Sequence, residues 1–305
     1  MRILYLGAGA LGGYFGGRMT AGGADVTLLV RPARQAALSN GLRIESPAGD
    51  ATIPVKTITA SDQADPFDVI VLTNKAYGLD GALEAIAPYV GANTAICPLL
   101  NGLAHIAAIE SRFPGTPVLG GVAHIPAEMR PDGSILHRGV VQRLTIGPRG
   151  GQGGSQAQAL VDAAEAGGVE AGLSDNIDQD LWAKWVFLTS LAAGTCLMRA
   201  DVGTICRTDH GIGFMKALIS ECSAVATAEG FPPSEHHLKF CHEQLTNREG
   251  TFKASMLTDL EAGNPTEADH ILGDMIRRAE SHGMQVPFLK AAMAHLQVYE
   301  AQRVG

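Results

Sequence analysis

Short apolar runs separated by glycine turns and amphipathic intervals occupy the first half of the chain, and helix-period patterns occupy the second. The opening stretch "RILYLGAGALGGYFGGRMTAGGADVTLLVR" predicts a strand, a glycine turn, a helix and a second strand beginning near Ala24, one βαβ half-unit. Apolar runs at "FDVIVLT" (67–73) and "TAICPLL" (94–100) predict two further strands, with a helix over 79–87 between them. The segments "SQAQALVDAAEAGG" and "VEAGLS" continue the alternation, so the glycine-rich "GPRGGQGGSQ" (147–156) reads as a surface loop and not as a linker. From Ser174 onward only helices are predicted, over about 178–198, 209–229, 233–246, 253–262, 266–282 and 287–302. Gly230 and Gly283 follow apparent helix ends, Pro232 and Pro287 sit where helices start, and Thr266 with Asp269 has the spacing of a capping box. The predicted architecture is α/β: an N-terminal Rossmann-type dinucleotide-binding domain over 1–173, then a C-terminal all-helical domain for substrate and dimerisation over 174–305.

Composition narrows the partners. A length of 305 residues exceeds the usual span of one core and agrees with two domains. The net charge of -8, with no long basic run, argues against nucleic acid. Five cysteines, odd in number and widely spread, suit a reducing, cytoplasmic setting. His236, His237 and His242 lie close together but without a matching cysteine or carboxylate motif, so no metal is expected. The N-terminal apolar stretch breaks into glycines too early for a secretory signal, and no run approaches the roughly 18 apolar residues of a membrane helix.

Candidate chemistry begins at the glycine turn. Gly7, Gly9 and Gly12 form G-x-G-x-x-G directly after the first strand, where a pyrophosphate meets the N–H groups of a helix start. The second strand ends in Arg31, with Arg34 a turn later and no acid between. An arginine there clasps the 2'-phosphate of NADP(H), whereas an acid would hold the ribose hydroxyls of NAD; the plain alternative is a solvated surface arginine. Asn74 and Lys75 follow one strand and Asn101 with Gly102 follows another, at the sheet edge that lines the ligand crevice in such folds; a solvated turn is the alternative. In "DLWAKWVFLTS" (180–190), Lys184 sits between two tryptophans. Such a lysine either snorkels from a helix edge or is a working group.

Taken together, "LGAGALGG", "NKAYG", "LNGL", "GGVAHIPAEMRPDGSILHRG", "LWAKW" and "SMLTDLEAGNPTEADHILGDMIRRAESHGMQVP" resemble the ketopantoate reductases, the NADPH-dependent 2-dehydropantoate 2-reductases, over nearly the whole length. The resemblance implies an α/β dinucleotide domain joined to a helical one, with the active site in the cleft. It implies Lys184 as proton donor, Glu267 as its acidic companion, Asn101, Ser255 and Lys75 around cofactor and substrate, and Arg31 at the NADPH phosphate. The expected reaction is reduction of a 2-oxo acid, foremost ketopantoate, in a cytoplasmic enzyme that takes a small-molecule substrate and has a homodimer as its expected assembly. The family pattern commonly sets an asparagine four residues after the lysine, where this chain has Leu188, and a further asparagine is matched by Ala192. Leu188 therefore borders the substrate space without a hydrogen bond. Three readings remain beside ketopantoate reduction: reduction of a less polar ketone or 2-oxo acid, a β-hydroxyacid dehydrogenase, and a non-catalytic NADP(H)-binding regulator.

Overall fold

The computed structural model describes residues 1–304 as two compact units: Met1–Leu100 with His105–Ile177, and Asn101–Ala104 with the described residues from Asp178 onward. At the centre of the first lies a five-stranded, wholly parallel sheet, in the order Lys56–Ile58, Asp25–Leu29, Arg2–Leu6, Val69–Leu72, Ala95–Pro98. Helices cover parallel sheets on both faces, which is why Val69–Leu72 and Ala95–Pro98 are buried at every position. The chain leaves Arg2–Leu6 toward one side of the sheet and returns to pair Val69–Leu72 on the other. That reversal opens a crevice beyond the strands' carboxyl ends, where the glycine turn lies.

Two smaller sheets complete this unit. Gly120–His124, Arg143–Gly147 and Glu170–Leu173 form one, and "VEAGLS" supplies its parallel strand. The other joins Ala51–Ile53, Leu42–Glu45, Ile135–His137 and Ala127–Met129. Its strands are only 3 or 4 residues long and pair Ile135 with Ile44 across most of the unit, so no local pattern announces them. A buried hydroxyl ties them to the glycine helix Ala10–Ala21: Tyr14 Oη donates to Gln142 Oε1 at 2.6 Å and lies 3.2 Å from His137 Nδ1.

The second unit is helical: Ile177–Met198, Gly211–Ala228, Glu235–Leu245, Ser255–Glu261, Asp274–Ser281 and Pro287–Val304, with a short helix Val202–Cys206 that the sequence pattern does not announce. Three expectations are corrected. The helix after Pro232 starts later, where Ser234 Oγ accepts from the His237 N–H at 3.2 Å. Thr266 and Asp269 form no capping box: the Thr266 N–H and Oγ1 both donate to Glu300 Oε1 at 2.7 Å, and Asp269 Oδ1 accepts from Arg277 Nη1 at 2.8 Å. Residues Asp269–Gly273 instead make a π-helical turn ahead of Asp274–Ser281. The third concerns Ile177–Met198, which is long and apolar enough to cross a membrane by length and composition, although two-thirds of its apolar stretch is buried inside the protein. It is a core helix, and its few polar positions are all that hide its length from a count of consecutive apolar residues.

Candidate active site

The glycine turn is built by backbone constraints. Gly7 has φ +95°, which only glycine adopts without strain, and it carries the chain from the central strand into the helix Ala10–Ala21. A Cβ on Gly12 would lie 2.4 Å from the Gly7 carbonyl oxygen and 2.5 Å from Thr73 Oγ1, so the helix can rest on the turn only with glycine there. Thr73 Oγ1 is itself fixed by donating to Leu6 O at 2.9 Å. A Cβ on Gly9, by contrast, would meet nothing within 4 Å. Gly12 therefore faces inward, and Gly9 faces open space at an uncapped helix start with no acid in its first turn.

That space is a crevice of about 760 Å³ lined by Gly7, Gly9, Arg31, Arg34, Asn74 and Lys75 among others. Its lining includes three cationic side chains and no acidic one. Asn74 Oδ1 is buried without a hydrogen-bond partner, an unusual state for a strong acceptor. An uncapped helix start, a glycine turn open at Gly9, cationic walls and a waiting acceptor fit a nicotinamide dinucleotide. Arg31, the N-cap of Pro32–Ala37, is exposed, whereas Arg34 turns onto the glycine loop and donates to Ala8 O from Nε at 3.2 Å and Nη2 at 2.8 Å. Sequence reasoning sees two arginines here; only the structure shows that one holds the loop's backbone.

In the helical unit, Lys184 is half-buried on Ile177–Met198 while both neighbouring tryptophans turn inward, 3% and 1% exposed. Trp182 stacks on Phe231 at 5.7 Å, and Trp185 Nε1 donates to Ile271 O at 3.1 Å inside the π-helical turn. The Arg278 guanidinium lies 5.4 and 5.5 Å from the two indole centroids, near enough for cation–π attraction, and pairs with Glu229. The tryptophans thus anchor the helix and leave Lys184 on its accessible stripe. Burial pushes the Lys184 ammonium down to about 8, and the Glu267 carboxylate acts in the opposite direction. Glu267, 7% exposed, immediately precedes the helix that contains the π turn, and its carbonyl accepts from the Ile271 N–H at 3.0 Å. The tryptophan bond and the Glu267 charge therefore bring the same short segment to Lys184.

Gly102, the residue after Asn101, lies against this segment: a Cβ there would meet both the His270 ring and its carbonyl oxygen at 2.9 Å. His270, which the sequence does not single out, is held below the usual imidazole range by burial, with Glu267, Asp274 and Asp269 opposing. Leu188 is half-buried on the stripe that carries Lys184. Ser255 is exposed at the first position of Ser255–Glu261. Its neighbour Ala254 donates to Thr195 Oγ1 at 3.4 Å, at a point eleven residues, about 16 Å, farther along the long helix than Lys184. Of the histidines 236, 237 and 242, His237 has its Nε2 3.3 Å from Cys241 Sγ. Among the described residues no group of three or more His, Cys, Asp or Glu side chains is placed to hold a metal.

Residues 3–151 match the family described as ketopantoate reductase PanE/ApbA, and residues 176–300 match that family's C-terminal domain. The chain is 33% identical to the uncharacterized oxidoreductase YkpB of Bacillus subtilis strain 168, over 99% of this chain and 100% of that protein. The crystal structure of 2-dehydropantoate 2-reductase from Methylococcus capsulatus superposes with a TM-score of 0.90 at 26% identity, over 100% of this chain and 98% of that one. A D-mandelate dehydrogenase solved with NADH and anilino(oxo)acetate shares the fold, with a TM-score of 0.89, 22% identity and full coverage of both chains (100% and 100%).

Proposed function

The chain belongs to the ketopantoate reductase PanE/ApbA family, and from that premise we propose that it reduces a 2-oxo acid to the 2-hydroxy acid with NADPH. The observation that carries this reading is Lys184: an ammonium half-buried beside Glu267, with its pKa drawn down to about 8. A bound reduced nicotinamide would supply hydride to the carbonyl carbon. Negative charge then builds on the carbonyl oxygen, and an ammonium held against it lowers the barrier and delivers the proton. The oxygen becomes a hydroxyl, and Lys184 is left as the neutral amine until solvent returns a proton. Glu267 keeps the ammonium form populated and orients it; Asn101, whose neighbour Gly102 abuts the same segment, is the proposed polar contact to substrate and cofactor. Ser255 belongs to the proposal as a further polar contact to the substrate, on the Thr195 side of Lys184.

Because the acid must carry its proton, activity is expected below the Lys184 pKa and lost above it. kcat/KM, which reports the free enzyme, should be level at neutral pH and fall as pH rises through about 8. A flat profile to pH 10 would place the proton donor elsewhere.

NADPH is preferred over NADH in this reading because Arg31, Arg34 and Lys75 line the dinucleotide crevice and no acid does. With Arg34 committed to Ala8 O, Arg31 is the arginine assigned to the 2'-phosphate. Arg31→Ala should weaken NADPH binding by about tenfold to a hundredfold and leave NADH nearly unchanged. Equal losses for both cofactors, measured by fluorescence titration, would remove Arg31 from that role.

The whole proposal is tested by following nicotinamide absorbance with purified protein and a panel of 2-oxo acids that includes 2-dehydropantoate. NADPH binding without turnover on any of them identifies a regulator instead. A second reading, that the substrate is less polar than 2-dehydropantoate, is favoured by Leu188 on the Lys184 stripe.

A further inference from the structure

The accessible stripe of the helix Ile177–Met198 consists of Asp180, Ala183, Lys184, Phe187 and Leu188, all half-buried, while the rest of 181–190 is buried. Past the lysine the stripe carries no polar atom. Its two hydroxyl neighbours face the core: Ser190 Oγ donates to Val186 O at 2.8 Å, and Thr189 Oγ1 is buried with no partner. Helical side chains lean toward the N-terminus, so Phe187 and Leu188 cover the turn on which Lys184 stands.

A second helix extends this surface. Phe240, on Glu235–Leu245, is 41% exposed, and its ring lies 5.3 Å from that of Phe187 at 36°. Its place is fixed by His237, which bonds to the backbone of Ala183 on the long helix and to Cys241 on its own. Phe187 and Phe240 form a braced aromatic pair, and Leu188 stands next to Phe187 on the stripe, one turn from the proposed proton donor. Phe240 is exposed and Phe187 half-buried, so apolar side-chain surface stands open to a ligand beside the lysine.

We infer that Phe187, Leu188 and Phe240 form the side-chain wall of the substrate subsite and that the substrate is a 2-oxo acid with an aromatic side chain. The inference rests on the reading of the protein as a 2-oxo acid reductase and names the substrate class of that site. With the carbonyl oxygen at Lys184, the carbon chain runs along the stripe toward Leu188 and its ring meets Phe187 and Phe240. The wall offers no donor or acceptor to a hydroxyl-bearing side chain such as that of 2-dehydropantoate, which would lose its water there without replacement.

Phenylpyruvate, 2-dehydropantoate and glyoxylate, which has no side chain, are compared with NADPH as reductant. The wild type should favour phenylpyruvate over 2-dehydropantoate by about tenfold or more in kcat/KM, as one well-matched apolar group discriminates. Phe240→Ala should lower the phenylpyruvate-to-glyoxylate ratio about tenfold, mostly through KM, and Leu188→Asn should narrow or reverse the phenylpyruvate-to-2-dehydropantoate ratio. Phe240→Leu should recover part of the lost ratio, and it replaces the alanine variant if that one does not fold. Ratios within about twofold of wild type in both the Phe240 and Leu188 variants overturn the wall. An unchanged ratio together with a smaller assembly by light scattering overturns it too, by making Phe240 a subunit contact. Failure of the wild type to reduce any of the three acids, with NADPH or NADH, defeats the reductase reading itself and is thereby distinct from failure of the wall.

Discussion

Lys184→Ala is expected to lower turnover by about 10²-fold or more, since a positioned general acid contributes about 10²–10⁴-fold. NADPH affinity and the fold should both survive. The dinucleotide crevice is lined wholly by residues of the other unit, and the tryptophans on either side of Lys184 have their own anchors in Phe231, Arg278 and Ile271. Removing the ammonium takes away a charge that burial disfavours but also withdraws a cation from the buried Glu267 carboxylate; the two effects oppose each other, so the melting temperature should change little. Residual turnover in the variant should also lose the fall above pH 8 that marks the lysine. A variant that keeps most of its turnover would return Lys184 to the simpler role of a lysine covering aromatic surface.

The second large effect separates two glycines of one motif. Gly12→Ala drives a methyl group into the Gly7 carbonyl and Thr73 Oγ1, neither of which can move freely: one is backbone in a constrained turn, and the other is hydrogen-bonded to Leu6 O. Overpacking of this kind costs about 1–3 kcal/mol, which for a unit of this size lowers the melting temperature by several degrees. Gly9→Ala meets nothing within 4 Å and has ordinary backbone angles, φ -79° and ψ -161°, so stability should not change. Its methyl group instead enters the space left for the pyrophosphate and should weaken NADPH binding by roughly tenfold or more through lost backbone approach. Calorimetry and cofactor titration on the pair decide the matter. Should Gly9→Ala bind NADPH like the wild type, the dinucleotide does not pass over this turn.

The two kinds of architecture, and the side chains that are candidates for the chemistry, are legible in the sequence because those features are local. A buried parallel strand is an unbroken apolar run, a helix repeats every 3.6 residues, and a turn that needs positive φ asks for glycine, as at Gly7. Thus the strands around "VIVL" and "AICP", the helix Gly154–Ala166 and the long helix with Lys184 were legible from short windows. Contacts between distant segments were not. The pairing of Ile135 with Ile44, the return of the central sheet to Val69–Leu72, and Thr266 taking Glu300 in place of a capping box are decided by packing over tens of residues. The active-site details are of the same kind. Arg34 turning onto Ala8 O, the π turn receiving Trp185, and Phe240 meeting Phe187 each depend on where a second element lies, and no spacing along one element records that. Residue type therefore told which groups can bind phosphate or give a proton. Which arginine is tied to the glycine loop, how far burial lowers the lysine's pKa, and what surface stands beside it depend on tertiary structure, because desolvation and side-chain direction are properties of the packed neighbours.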